Sequence, residues 1–356
     1  MNAIKARGSR VRRSGRAAGF TLIELLTVIA IITLLIGILV PSLSRARDQA
    51  KNASIRAKLK AIGDGLEMFR NENEAELPGG RFPPSAPAED PTEDGQQDIF
   101  GAQWLVRYLL GKDFNGYISV RNVPPALRER RTTNPENWQK DWYTDIPTSN
   151  NPYAPLPRNG PYLNQEGVKI VRAAELPNQP SAGLGVFNVD SRTYEQPVIL
   201  DDYGYPILYY AANTVQYVTG PTGQKIFTPI ATYDARPPNA VPGTFNFSDN
   251  ALFTGRCIGG ACDVPPWDFE GIGGVNPHNL GKFGQHTNNV PSRDTIDNPT
   301  ENIDTFPYII MNKQAFQSTD RKTVVPFRKD SFLLFSAGKD GAYGTHDDVN
   351  NFDTGN

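Results

Sequence analysis

Residues 20–40 read FTLIELLTVIAIITLLIGILV, twenty-one positions with a single charge, Glu24. As a helix this run is ~31 Å long, which matches the ~30 Å hydrocarbon core of a bilayer. Residues 1–19 hold Lys5, Arg7, Arg10, Arg12, Arg13 and Arg16 and no acid, a net +6 against −2 for the whole chain, so the remainder carries −8. Basic residues stay on the cytoplasmic side. The expected topology is therefore an inner-membrane span with a cytoplasmic N-terminus and an exported body. A cleaved signal peptide has a shorter apolar region followed by a small-x-small site. Here the run ends in Pro41-Ser42-Leu43. A plain anchor fits the length but leaves Glu24 unexplained, since a carboxylate at that depth costs ~2.5–3.5 kcal/mol on insertion scales.

The proline distribution divides the chain into two parts. Only Pro41 falls in residues 1–77, and the other 29 prolines fall in residues 78–356. Helices tolerate internal proline poorly, so the first part is helix-permissive and the rest loop-rich. Beyond Pro41, residues Ile55, Leu59, Ile62, Leu66 and Phe69 step by 4, 3, 4 and 3, one face of an amphipathic helix. The opposite face carries Arg56, Lys58, Lys60, Asp64, Glu67 and Arg70. The spacing predicts a stalk helix over 41–77, ended by Leu77-Pro78-Gly79-Gly80 and burying its stripe on a sheet. Run together, residues 20–76 would form a helix ~85 Å long.

The body, 78–356, opens with a Pro-rich acidic linker. A short helix is expected over 98–110, stopped by Gly111. Short strands are expected at 198–200, 207–211, 216–218, 225–231, 309–310 and 331–336, with 202–206 turning the first two into a hairpin. Residues 121–160 and 232–308 read as irregular insertions. The fold class is thus α+β: a long N-terminal helix on a small antiparallel β-sheet domain with loop-rich insertions. Net charge −2 argues against a dedicated nucleic-acid binder. No nucleophile elbow, zinc-protease motif or phosphate-binding loop is present, so no enzyme activity is expected.

The segment Gly19-Phe20-Thr21-Leu22-Ile23-Glu24, with its basic leader, apolar run and Pro41, closely resembles the N-terminus of type IV pilins and type II secretion pseudopilins. The resemblance implies that residues 1–19 are a leader removed by a prepilin peptidase between Gly19 and Phe20, with Phe20 then N-methylated. It implies that 20–40 serves as membrane span and assembly helix. It further implies that Glu24 meets the Phe20 amine of its own or a neighbouring subunit, and that Pro41 is where such helices bend or partly melt. The implied partners are the peptidase, other pilin or pseudopilin subunits and an inner-membrane assembly platform. The implied product is a periplasmic filament.

Two further stretches point the same way. Gly160-Pro161-Tyr162-Leu163 and 201–209 look like elements of the major pseudopilin, although Asp202-Tyr203 replaces the Pro-Trp pair of that subfamily. Residues 336–349 are similar to its calcium-binding loop, which implies Ca²⁺ held by Asp340, Asp347 and Asp348. The oxygen-rich composition suits calcium, which takes six to eight hard oxygens. An acidic turn without a metal is the alternative. Cys257 and Cys262 bracket Ile-Gly-Gly-Ala. In an exported body a small disulfide loop is expected, with free thiols or a metal site as alternatives. The function expected is a structural subunit of a secretion pseudopilus. The alternative is a minor type IV pilin acting as an adhesin or DNA-uptake subunit. Processing is directly testable: Gly19→Val should leave the uncut precursor, heavier by ~2 kDa, in the membrane. Intact-mass measurement of native protein begun anywhere but Phe20 would overturn the assignment of the cleavage site.

Overall fold

The computed structural model describes residues 21–73, 82–83, 85, 88–89, 98–111, 114–118, 158–176, 191–212, 217–219, 225–227, 245–258, 261–263, 278–283, 306–312, 314 and 326–352. The chain divides into two compact units, 1–50 and 51–356.

Helix α1, Leu22–Asn73, runs for 52 residues with Pro41 inside it. A proline there removes the N–H that would bond the carbonyl of residue 37. The Ser42 hydroxyl donates to the Leu39 carbonyl at 2.8 Å in the same turn. From Leu22 to Leu43 the large apolar side chains are exposed, Leu22 at 80% and Ile38 at 67% among them. A helix of this length and composition is able to cross a membrane.

In the second unit the stripe read from the sequence is buried: Ile55, Leu59, Ile62, Leu66 and Phe69 are at most 2% exposed. Burying five such side chains contributes on the order of 10 kcal/mol before entropy is counted. They pack with Trp104, Leu105 and Leu109 of helix α2, Gly101–Leu110, and with Ile199, Tyr209, Phe332 and Leu334. Helix α2 ends where expected, at Gly111 with φ +82°. Its N–H bonds the Arg107 carbonyl.

The sheets are small. Phe332–Ser336 lies between Leu208–Ala211 and Val349–Asn350, antiparallel to both. Pro197–Leu200 pairs antiparallel with Lys169–Arg172. Further antiparallel pairs join Ala88–Glu89 to Asp98–Ile99, Tyr117–Ile118 to Arg158–Asn159, and Tyr217–Thr219 to Lys225–Phe227. Arg256–Ile258 is antiparallel to Ala261–Asp263 and parallel to Lys282–Phe283.

Three expectations are corrected. The strands at 197–200 and 208–211 do not form the main ladder of one hairpin, because each finds its long partner elsewhere. The turn between them survives as the Leu200–Pro206 bridge. Residues 306–309 form a helical turn and not a strand. Finally, the stretch 232–308 is not merely an insertion. Along a strand, successive side chains face opposite sides. Phe332, Leu334 and Tyr209 face α1, while Leu333, Phe335, Leu208 and Tyr210 belong to a second cluster. That second face is covered by Phe245, Leu252, Phe253, Leu280, Phe306 and Ile310. The central sheet is therefore buried on both sides, and segments from the supposed insertion supply one of its covers.

Polar side chains stitch that cover down. Asn250 Oδ1 accepts from the Ala102 N–H at 2.8 Å, and its Nδ2 donates to the Tyr209 carbonyl at 2.7 Å. Asp249 is buried and accepts from the Ser85 hydroxyl. Ser85 Oγ in turn accepts from the Ala211 N–H at 2.8 Å. Burial pushes the Asp249 carboxyl up to about 7, although the Ser85 bond opposes this.

Packing at two glycines of α1 gives contrasting expectations. A Cβ at Gly65 would sit 2.8 Å from the Tyr162 carbonyl oxygen, whereas one at Gly63 would meet only Phe332 ring atoms at 3.5 Å and beyond. Thermal melting of the purified full chain should therefore show Gly65→Ala lowered by an overpacking cost of ~1–3 kcal/mol, and Gly63→Ala unchanged or raised by up to ~1 kcal/mol of helix propensity. Asp249 makes stability depend on pH. A carboxyl whose pKa is raised on folding stabilises the fold in its protonated form. That contribution is complete below about 4 and is lost as pH rises through about 7. Asp249→Asn should flatten the fall in melting temperature between these limits. An unchanged pH profile would show that Asp249 is not the group responsible.

Candidate functional site

The first candidate site is the start of α1. Gly19 and Phe20 lie outside the described residues. Glu24 lies in the first turn, and its Oε2 accepts from the Thr21 N–H at 2.9 Å and from the Thr21 hydroxyl at 2.7 Å. The Glu24 N–H bonds Thr21 Oγ1 at 3.3 Å. This reciprocal pattern, a hydroxyl residue answered three positions later by a glutamate, satisfies donors that a helix start leaves unpaired. A carboxylate is also favoured there by the helix dipole. Thr21 was not singled out by sequence reasoning, although the Thr-x-x-Glu spacing is a visible cap signal.

The second candidate site is the C-terminal loop after Phe332–Ser336. Gly338, Gly341 and Gly344 have φ of +66°, +75° and +88°. At Gly338 a Cβ would clash with the Asp347 carbonyl oxygen, so glycine is required for the loop to close on itself. The closed loop brings donor atoms of Asp340, His346 and Asp347 within 4.8 Å of one another. Thr345 Oγ1 lies 2.9 Å from Asp340 Oδ2, 2.7 Å from Asp347 Oδ1 and 3.5 Å from Asp348 Oδ1. One hydroxyl has one proton to donate. It cannot satisfy three carboxylates at once.

The three acids are held differently. Asp347 Oδ2 accepts from the N–H groups of Lys339 and Asp340 at 2.8 and 3.0 Å. Burial raises the Asp347 carboxyl, but the bonds from Thr345 and these backbone donors outweigh it and hold it below the usual range. Burial pushes Asp340 up, and the neighbouring Asp347 charge adds to this. Asp348 is driven well up by burial, although the Gly344 N–H donates to its Oδ2 at 2.7 Å. Of the three acids expected, Asp340 and Asp347 share the cluster with His346. Asp348 is not in that group, and its Oδ1 lies 3.5 Å from Thr345 Oγ1. His346 and Thr345 were not among the expected residues.

The loop is tied to the rest of the domain on two sides. Ser336 Oγ donates to Asp201 Oδ2 at 2.6 Å, and Tyr343 OH donates to the Pro206 carbonyl at 2.6 Å. Asp201 Oδ1 accepts from the N–H groups of Tyr203, Gly204 and Tyr205. Next to it, Asp202 Oδ1 lies 2.6 Å from Lys58 Nζ of α1. From the other side, Tyr343 N–H donates to His278 Nδ1 at 3.2 Å, and Asn279 Nδ2 to the Gly344 carbonyl at 3.2 Å. The resemblance of 201–209 to a pseudopilin element thus falls on the turn that anchors the loop to the stalk helix.

Cys257 and Cys262 are direct partners across the Arg256–Ile258 and Ala261–Asp263 pair. Opposed Cα atoms in such a ladder lie ~4.5–5.5 Å apart, within the span of a disulfide.

Comparison with known proteins identifies the first site. Residues 15–40 match the prokaryotic N-terminal methylation motif. The chain is 46% identical over 57 residues to the type IV wide pilus major component PilA4 of Thermus thermophilus, which covers 16% of this chain and 44% of that protein. It is 38% identical over 56 residues to the type II secretion system core protein G of Pseudomonas aeruginosa, covering 16% of this chain and 39% of that protein. The chain thus carries a prokaryotic N-terminal methylation motif and, over 56–57 residues, is similar to a type IV pilin and to a type II secretion pseudopilin. The matches span less than half the length of either relative. No solved structure matches the chain.

Proposed function

We propose that the chain is a structural subunit of a type II secretion pseudopilus. A prepilin peptidase removes residues 1–19 and methylates Phe20. The subunit waits in the inner membrane with its body in the periplasm, and an inner-membrane platform stacks it into a filament. The single observation that carries this reading is α1 itself: a methylation motif at its start, Glu24 in its first turn and an uncovered apolar surface from Leu22 to Leu43. Such a surface must be covered by lipid or by other helices. Stacking replaces the one with the other.

The Asp-rich loop supports the secretion branch. The cluster suits a hard divalent cation, and we assign Ca²⁺ to it, with Asp340 and Asp347 as ligands and Asp348 adding negative charge beside Thr345. The fit rests on three carboxylates converging on one hydroxyl, an excess of negative oxygen that a cation would neutralise. A disulfide between Cys257 and Cys262 fits the exported compartment. The body after α1 is far larger than a helix needs for docking, which favours a minor or specialised subunit.

Assembly and metal binding are tested separately. Glu24→Val should leave peptidase cutting intact and lower filament recovery at least ~tenfold, because it removes the charge that an incoming amine must meet. Equal recovery would show that Glu24 serves only the single chain. For the loop, the purified full chain should melt higher in calcium than in chelator. A hundredfold excess over Kd contributes about 2.7 kcal/mol. Asp347→Asn should remove most of the difference. Equal melting in calcium and chelator would leave the loop an acidic turn.

A further inference from the structure

We propose that a cavity of about 660 Å³ beside α2 is a binding site for a single carboxylate carried on a short apolar group. Two sources share that chemistry, a free organic acid and the last residue of a polypeptide. The inference concerns the second compact unit and does not depend on the filament reading above.

The cavity lies between α2, the turn at Phe114 and the strand Lys169–Arg172. Its size falls within the ~300–1,000 Å³ of small-ligand pockets. Phe114, Val168, Ile170 and Pro197 line it, and each is half-buried. Phe114, Val168 and Ile170 pack at the margin of the cluster that holds α2. Phe114 has φ +60°, a conformation that bulky residues rarely adopt. Its N–H bonds the Gly111 carbonyl at 3.3 Å, and its own carbonyl accepts from Gln165 Nε2 at 2.9 Å. The aromatic wall is thus held through its backbone on both sides.

Charge selects the ligand. The charged residues on the lining are Arg107, Arg172, Glu175 and Glu195. The last three are exposed, and Arg172 Nη1 lies 2.8 Å from Glu195 Oε2, an ion pair that water screens. Arg107 is 2% exposed. A buried charge is screened far less than an exposed one, so the guanidinium sets the potential within the cavity. Arg107 Nε donates to Oε1 of the buried Gln196 at 3.1 Å. That bond fixes the plane of the guanidinium, and a fixed planar fork recognises a carboxylate through two parallel bonds. A phosphate monoester fits less well. It brings close to two negative charges to one buried cation, and it meets Glu175 and Glu195 as well. A carboxylate brings one charge to one guanidinium, and its apolar group covers the wall at Phe114 and Ile170.

Isothermal titration calorimetry of the purified full chain tests this. The probes are N-acetyl-leucine and its neutral amide, the tripeptide alanyl-alanyl-leucine with a free or amidated terminus, and inorganic phosphate. Each acid should bind about tenfold or more tightly than its amide, because a hydrogen bond to a charged group is the stronger kind. Phosphate should bind at least ~tenfold more weakly than the acids. Arg107→Gln should erase the preference, leaving acid and amide within about twofold of each other. A buried arginine also supports the fold, so Phe114→Gly serves as a second variant, glycine being at ease at that φ. It should keep the melting temperature and weaken acid and amide alike. Tighter binding of the tripeptide acid than of N-acetyl-leucine would assign the site to a polypeptide end, and equal binding to a free acid. Equal affinity of acid and amide for the unchanged chain would overturn the proposal. So would phosphate binding as tightly as the acids, or no binding of any probe at millimolar concentration.

Discussion

Glu24 is the one charge in an apolar run, and a carboxylate in that setting has to be answered by a donor. In the single chain the answer is local, because Thr21 supplies both its N–H and its hydroxyl. That capping satisfies hydrogen bonds but supplies no positive charge. Only a positive charge completes the pairing, and cleavage after Gly19 would create one at the Phe20 amine. On the filament reading proposed above, capping and assembly are therefore not rival explanations of Glu24.

The remainder of the molecule keeps the stalk fixed to its domain. The stripe from Ile55 to Phe69 supplies the apolar part of that attachment. Polar contacts add direction: Lys58 pairs with Asp202, and Lys51 lies 4.3 Å from the Tyr203 ring centroid. The same turn holds Asp201, whose carboxylate is shared between three backbone donors and Ser336. A single hairpin turn thus faces the stalk on one side and the acidic loop on the other. Order in the acidic loop and docking of the stalk are supported by one buried carboxylate.

Much of this was legible in the residues. The apolar run, the 4-3-4-3 stripe and helix α2 follow from periodicity, which is local and strong. The strands at Leu208–Ala211 and Phe332–Ser336 were visible as β-branched or aromatic runs, but their partnership, more than a hundred residues apart, was not. Nor was Lys169–Arg172, whose four residues carry two charges and no strong alternation. The stretch 232–308 misled because Pro, Asn and Gly recur throughout it and break up any periodic pattern. Four of its apolar residues, Phe245, Leu252, Phe253 and Leu280, matter through their placement over the sheet's second face. At the acidic loop the carboxylates and glycines were readable as a motif. The roles of Thr345 and His346 were not, because a hydroxyl among three acids is a product of the loop's closure.

On the filament reading proposed above, the central question is what meets Glu24 when copies stack. Electron cryomicroscopy of sheared native filaments, at a resolution that shows side chains, tests it most directly. The predicted result is a mature chain beginning at N-methylated Phe20, with the Glu24 carboxylate of one subunit within ~4 Å of the Phe20 amine of the next. Filaments in which Glu24 touches only its own Thr21, with each amine paired elsewhere, would contradict it.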